Sequence, residues 1–459
     1  AGLPRTPAAP VTLADNRRAA WRVSALLLLL TALVALASAV LTLQLPGMAS
    51  GLSWRRALVL GLAQTWPAIP VLALLWRWPR GRTLAALAAW AVVVAGVMAL
   101  NSDGAHTLRN AFVYIGLDAG FAACWALLLC AGAAPRAIAP WLLLPLVAVL
   151  AGAVAGLDVL ERASAADAGW LPRLVGTLGA WPTLALAVLL PLAALAWPAR
   201  RLGQALADAW RRRWLSELVV LFAVLSGLAL LQRAITGLVS SGGLSLALLL
   251  PVLLVPPVVL AAAPRPPAGR APVLLVLRVF QRDRAVSALF DRVIERWRLT
   301  GNTLLIAGTD LLERTLDADD LWAFLGGRLR GRFVLGPADL AARLGELELR
   351  QDLDGRHRVN ELYCHDGTWQ LALQALVARA DVVLMDLRGF QRRNRGCLHE
   401  LQVLAEAPAL WRVVVLVDGS TDLAAARQAA AAAPAGRFDW LDTTDAAQVL
   451  PRLFQPAAA

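Results

Sequence analysis

The stretch Ala380–Leu404, ADVVLMDLRGFQRRNRGCLHELQVL, reads as strand, exposed loop and helix, and the α/β part of the chain is organised around it. Val382, Val383, Leu384, Met385 and Leu387 form a near-continuous apolar run, as expected of a strand covered on both faces. Asp386, Arg388, Gly389, Asn394 and Gly396 then crowd a turn, and Cys397, His399 and Glu400 open the next helix. Doubly wound sheets bind ligands at the carboxyl ends of their strands. Asp386, Arg388, Asn394 and Cys397 are therefore the candidate ligand-binding residues.

Composition sets what surrounds this module. The chain has 459 residues, 59% of them hydrophobic, and a mean hydropathy of +0.61, so it exceeds one ordinary domain and part of it belongs in lipid. The formal charge is +12, and all 44 basic residues are arginine. Many of them flank apolar spans, where membrane topology accounts for them without a nucleic-acid partner. The absence of lysine excludes a Walker A loop, a protein-kinase β3 position and a pyridoxal Schiff base as normally built. Cys124, Cys130, Cys364 and Cys397 form no CxxC pair and read as free thiols in a reducing compartment. Ser24–Leu43 is too long for the apolar core of a signal peptide and reads as a first membrane helix.

A bilayer core of about 30 Å takes roughly 20 apolar residues per helix. That length divides residues 23–263 into about eight spans: 23–43, 57–76, 84–100, 111–132, 138–157, 174–197, 217–239 and 244–263. Arginines cluster before the first span (Arg17, Arg18, Arg22) and after the second, fourth and sixth (Arg77, Arg80, Arg82; Arg136; Arg200, Arg201, Arg211, Arg212, Arg213). The opposite loops carry Asp103, Asp158, Glu161 and Asp167. The positive-inside rule places both termini in the cytoplasm of a multi-pass inner-membrane protein, with only Arg55 and Arg56 against it, and makes the bilayer its first partner. Asp118, in GLDAGF, is the clearest polar residue within a span, where a carboxylate costs about 2.5–3.5 kcal/mol. It reads either as a functional group or as a charge in a hydrated or paired position. Gln232 and Arg233 are expected to snorkel to the outer interface.

After a Pro-rich linker, 264–272, comes an α/β domain, 273–456. Expected strands are 273–280, 303–307, 381–387, 413–417 and 438–441. They interleave with helices over 284–299, 368–379, 396–406, 422–433 and 446–454, a doubly wound parallel sheet. An insert at 310–367, helical over 319–329 and 338–347, interrupts them. Residues 1–22 form the N-terminal tail.

VLMDLRG matches a magnesium-holding strand end, but without a phosphate loop Asp386 reads as a carboxylate that holds its own loop or touches a ligand. Cys364, His365, Cys397 and His399 have the wrong spacing for a zinc finger, so no metal is assigned. The sequence Cys397-Leu398-His399-Glu400-Leu401, C-x-x-E-L opening the helix after the third core strand, resembles the Toll/interleukin-1 receptor (TIR) domain family, a flavodoxin-like fold. The five-strand succession resembles it too once the insert is set aside. The resemblance implies that Glu400 acts on the ribose of NAD, as substrate, during cleavage of the nicotinamide bond; no other cofactor is implied. The opening strand lacks the usual serine or tyrosine, and no tryptophan precedes Cys397. Read without the family, Glu400 is a carboxylate stabilising the first turn of its helix. Three functions stay open: a membrane protein whose TIR-like domain binds a nucleotide or partner and signals, a non-catalytic scaffold that self-associates through that domain, and a transporter with a regulatory domain.

Overall fold

The computed structural model describes residues 6–47, 53–102, 107–129, 133–265, 269–277, 284–307, 329–365 and 367–454. Residues 24–263 gather into one compact unit, and the described residues before 24 and after 263 into a second.

The first unit is helical. Its elements are α1 (Leu13–Gln44), α2 (Trp54–Ala63), α3 (Ala68–Trp76), α4 (Arg80–Leu100), α5 (Leu108–Leu129), α6 (Ala133–Ala165), α7 (Trp170–Leu178), α8 (Ala180–Arg211), α9 (Glu217–Ser241), a 3-10 stretch (Gly242–Leu254) and α10 (Val255–Ala261). Among the described residues five helical runs are long and apolar enough to cross a membrane, or six if the bent pair α2 and α3 is one span. The bend, 46°, corrects the expectation of one straight helix over 57–76. Pro67 at the break has no N–H to continue the ladder.

Glu217–Ala261 is one apolar run by composition, but it folds back on itself. Gly242 adopts φ +57°, and Val252 Cγ2 returns to within 3.9 Å of the place a Cβ on Gly227 would occupy. Two segments therefore stand where 217–239 and 244–263 are expected. Asp158, paired with Arg162 at 3.0 Å, sits against the reversal. A Cβ on Gly243 would lie 2.6 Å from its Oδ2, so a side chain there would have to displace the Asp158 carboxylate. Arg233 corrects the snorkelling expectation: it is 3% exposed, because α9 is enclosed along most of its length by its neighbours.

The second unit is a parallel sheet. Its strands are β1 (Val273–Leu277), β2 (Asn302–Ala307), β3 (Phe333–Val334), β4 (Val359–Cys364), β5 (Val382–Asp386), β6 (Arg412–Val417) and β7 (Phe438–Asp442), ordered β3-β4-β2-β1-β5-β6-β7. The helices are α11 (Arg284–Trp297), α12 (Pro337–Gly345), α13 (Trp369–Val377), α14 (Arg395–Glu406), α15 (Leu423–Ala429) and α16 (Ala446–Phe454). Alternation sorts the core. Leu275, Val383, Met385, Val413 and Val415 face Leu340, Leu373, Leu376, Leu401 and Leu404 on one side of the sheet. Leu274, Val276, Leu384, Val414 and Leu416 face Phe290, Val293, Trp297, Val449 and Leu453 on the other. Both faces are dry, as all-parallel sheets require.

Among the described residues seven strands stand where five are expected, since β3 and β4 lie inside the 310–367 insert. Val359-Asn360-Glu361-Leu362-Tyr363-Cys364 carries too much polarity to read as a buried strand, yet it pairs in parallel with β2 from Thr303↔Val359 to Ala307↔Tyr363. The helix expected over 338–347 is α12; that over 319–329 lies, but for its last residue, outside the described residues. The Ala-rich helix stops at Ala429 rather than 433, consistent with Pro434, which disfavours helix in the residue before it. Residues 6–22 are more than a tail. Ala8 bridges Arg270, helix α1 starts at Leu13, and Asn16 donates to the Arg296 carbonyl at 2.5 Å and to Thr300 Oγ1 at 3.1 Å.

A buried polar network ties the segment before β4 to the amino end of the sheet. Arg358 donates to Asp352 at 2.9 Å, Arg298 to the His357 carbonyl at 2.8 Å, and Arg356 to Glu295 at 2.5 Å. His357 Nδ1 meets Asn302 Oδ1 at 3.0 Å. Burial, helped by the Arg298 charge, pulls the His357 imidazole down to about 4, so it stays neutral in the fold and protonates more readily when unfolded. Its contribution is present above its ordinary pKa of about 6.5 and is lost as pH falls through about 4. Thermal unfolding of the full chain between pH 7 and pH 4 should show a loss of roughly 2–3 kcal/mol that His357→Gln removes.

Candidate functional site

The site is built where β5 ends. Five buried residues, Val382–Asp386, bring the chain to the carboxyl edge of the sheet, between β1 and β6 in the pairing order. The chain reverses direction of winding around β1, so the switch point at which doubly wound folds bind ligands lies beside β5. The loop after β1, residues 278–283, lies outside the described residues.

Four hydrogen bonds shape the loop that follows. Leu387 N–H donates to the Leu416 carbonyl at 2.8 Å and Asp422 N–H to the Phe390 carbonyl at 2.9 Å. Thr421 Oγ1 donates to the Leu387 carbonyl at 3.1 Å, and Gly389 N–H to Asp418 Oδ1 at 3.2 Å. Gly389 takes φ +74°, a conformation glycine adopts without strain, and Phe390 is fully buried as the plug beneath. The β5 and β6 loops are thus laced into one ledge.

Each candidate residue has a definite place on that ledge. Asp386 is buried, and both its oxygens are engaged by Arg388, whose Nε donates at 2.8 Å and Nη2 at 3.0 Å. This is the loop-holding arrangement of the two alternatives for Asp386. Asn394 Oδ1 accepts from Gln391 N–H at 2.8 Å, closing the turn before α14. Cys397 and Glu400 follow one helical turn apart and share a face. Both acids lie within electrostatic reach of the thiol: burial first, then Glu400 and Asp386, push Cys397 up to about 12. It therefore stays a neutral thiol, unsuited to nucleophilic attack. Asp118 lies on α5 in the helical unit, and its side chain is outside the described residues.

Glu400 is the group with chemistry in hand. It is the sixth residue of α14, too far along to stabilise the first turn through the macrodipole, whose effect fades within that turn. Half-buried beside a neutral thiol, it is pushed up to about 7 by desolvation. A carboxyl that titrates near neutrality at the carboxyl edge of a parallel sheet can accept a hydroxyl proton, donate one, or stabilise nearby positive charge. Arg392 and Arg393 in the loop before the same helix and Arg395 at its first position are exposed, where they favour an anionic ligand.

The cysteine–histidine set does not converge. Cys364 is buried, its thiol pushed up to about 11 by desolvation. His365 stacks on Phe333 at 5.1 Å, and His399 meets Trp369 edge-on at 5.9 Å. Among the described residues no group of three or more His, Cys, Asp or Glu is placed to hold a metal ion. Sequence reasoning missed Asp418. Its Oδ1 accepts from Ser420 Oγ at 2.7 Å, Ser420 N–H at 3.0 Å and Thr421 Oγ1 at 2.9 Å, besides Gly389. Burial works to raise this carboxyl, and the hydrogen bonds prevail and hold it below the usual range. The signal was present: VVVLVDGST repeats the strand-aspartate-turn pattern of VVLMDLRG.

No family model matches the chain, and neither does any curated protein or solved structure.

The raised Glu400 carboxyl bears on stability. Its neutral form suits the fold, so its contribution is complete below the ordinary glutamate pKa and lost as pH rises through about 7. Glu400→Gln should therefore stabilise the protein at pH 8 by roughly 1–2 kcal/mol and leave it unchanged at pH 4, as read from melting temperatures at the two pH values.

Proposed function

We propose that the chain is a multi-pass protein of the cytoplasmic membrane, with both termini inside, whose α/β domain is TIR-like and cleaves the nicotinamide bond of NAD at Glu400 to signal. The observation that carries this reading is the position of Glu400: half-buried, pushed up to about 7 by desolvation, and in the second turn of the helix after the central strand β5. The core order β2-β1-β5-β6-β7 supports it, because setting β3 and β4 aside leaves the 2-1-3-4-5 order of flavodoxin-like sheets.

In this reading the ionised carboxylate accepts a hydrogen bond from a ribose hydroxyl and stabilises the positive charge that grows at the anomeric carbon. The carbon–nitrogen bond breaks with its electron pair leaving on nicotinamide, and water supplies the hydroxyl that completes ADP-ribose. Arg393 and Arg395 are suited to the phosphates. The carboxylate must be ionised, so the rate of nicotinamide release by the full chain in lipid nanodiscs should rise with pH through about 7. Glu400→Gln should lower it about 100-fold or more. No release from the assembled protein at any pH would remove the enzymatic branch.

One observation favours the scaffold reading. Asp386 is satisfied by Arg388 and Asn394 by the Gln391 backbone within the same ledge, which makes it a pre-ordered surface for a second copy of the domain. Oligomers that persist unchanged in Glu400→Gln, without turnover in the unsubstituted protein, would favour it.

A further inference from the structure

Helix α7 has nine residues, and neither its length nor its packing accounts for its being a helix. Isolated helices shorter than about 12–15 residues are marginal in water. Its N-cap is Gly169, which offers no side-chain bond, and none of its residues is buried. Its sequence is nevertheless patterned. Trp170, Leu171, Leu174, Val175 and Leu178 fall on one face, while Arg173, Gly176 and Thr177 fall on the other. So regular an apolar face calls for an apolar neighbour, and the chain leaves it open: Trp170 and Leu178 are each 48% exposed.

The place of α7 in the helical unit says what covers that face. It joins α6 to α8, each of which holds a run long and apolar enough to cross a membrane. These two helices pack antiparallel, since a Cβ on Gly152 would meet Leu195 and one on Gly156 would meet Ala187 and Pro191. Ala165 lies nine residues past Gly156 and Ala180 seven residues before Ala187, so α6 ends and α8 begins at one level. Residues with positive φ stand at both junctions, Asp167 at +44° and Gly179 at +90°, so α7 continues the axis of neither neighbour. The apolar exposure runs on beyond it, through Trp181, which is 81% exposed, to Leu189 and Leu190 on the open side of α8. We propose that α7 is an interfacial helix, lying in the surface of the bilayer that α6 and α8 cross, with its apolar face in the acyl-chain boundary of the outer leaflet and Arg173 turned to headgroups and water. This rests on the membrane reading proposed above. Continuity with the open apolar side of α8 favours lipid over a second copy of the chain as the cover, and the helix then fixes the depth at which the α6 and α8 pair stands.

The test is photocrosslinking of the full chain in nanodiscs of phosphatidylcholine and phosphatidylglycerol. The photoreactive residue p-benzoylphenylalanine replaces Leu171, Leu174 or Leu178 on one face of α7, Arg173 or Thr177 on the other, and Leu189 on α8 as the control; products are read by mass spectrometry. Lipid adducts from positions 171, 174 and 178 should exceed those from 173 and 177 about five-fold or more. Equal yields from the two faces would overturn the proposal. So would adducts to a second copy of the chain in place of lipid adducts, or no adduct from α7 beside a lipid adduct at Leu189. The lack of a lipid adduct even at Leu189 would remove the membrane reading itself, and the proposal with it.

Discussion

A parallel strand buried on both faces leaves little room for a polar side chain along its length, and in the central strand β5 the one polar residue is the last, Asp386. Val382 to Met385 are wholly apolar and essentially inaccessible, so polarity is displaced to the two aspartates that bracket them. At the amino end, Asp381 takes a bidentate pair from Arg270, both contacts at 2.7 Å, and accepts the Val273 N–H at 2.8 Å. At the carboxyl end, Asp386 takes the fork of Arg388. A charge-assisted pair with both oxygens engaged is among the stronger ways to hold a buried carboxylate. It also answers the desolvation that the dry strand imposes. The ledge that precedes the Glu400 helix is held at its foot by the paired carboxylate with which the strand ends.

The same logic separates what could be read in the sequence from what could not. The apolar runs Val382–Met385 and Val413–Val417 declare themselves as interior strands because nothing polar interrupts them. The β4 strand does not, because Asn360 and Glu361 break its pattern. They are tolerated where they are for local reasons: Asn360 bonds both to the Glu348 N–H and to its carbonyl, at 2.6 and 3.1 Å, and Glu361 accepts from the Tyr363 hydroxyl at 3.2 Å. Such partners are far from obvious in a linear reading. Arg233 is hidden from a linear reading for a related reason, since its enclosure depends on α5 and α6, tens of residues earlier in the chain, and on the 3-10 stretch that folds back after it.

At the site the positions were legible and the environments were not. C-x-x-E-L places Glu400 on a helix after a central strand, but what lifts its carboxyl is burial, set by how α14 seats on the core. Trp369 illustrates this: it packs against His399 and lies 3.8 Å from the place a Cβ on Gly396 would occupy, a relation between two elements that no local pattern encodes. Asp418 shows the opposite case. Its DGST turn could be recognised, and its importance lies in binding two loops together.

The bracket of aspartates around β5 makes the strand a stiff strut. Arg270, at the end of the proline-rich segment, is clamped to one tip through Asp381, and the ledge of the β5 and β6 loops hangs from the other. Five extended residues cover about 17 Å, with hydrogen-bonded neighbours on both sides and no bulge or glycine to absorb displacement. A displacement of Arg270 is thus passed along β5 to the foot of the ledge with little lost on the way, because the strand offers no soft point between its two aspartates.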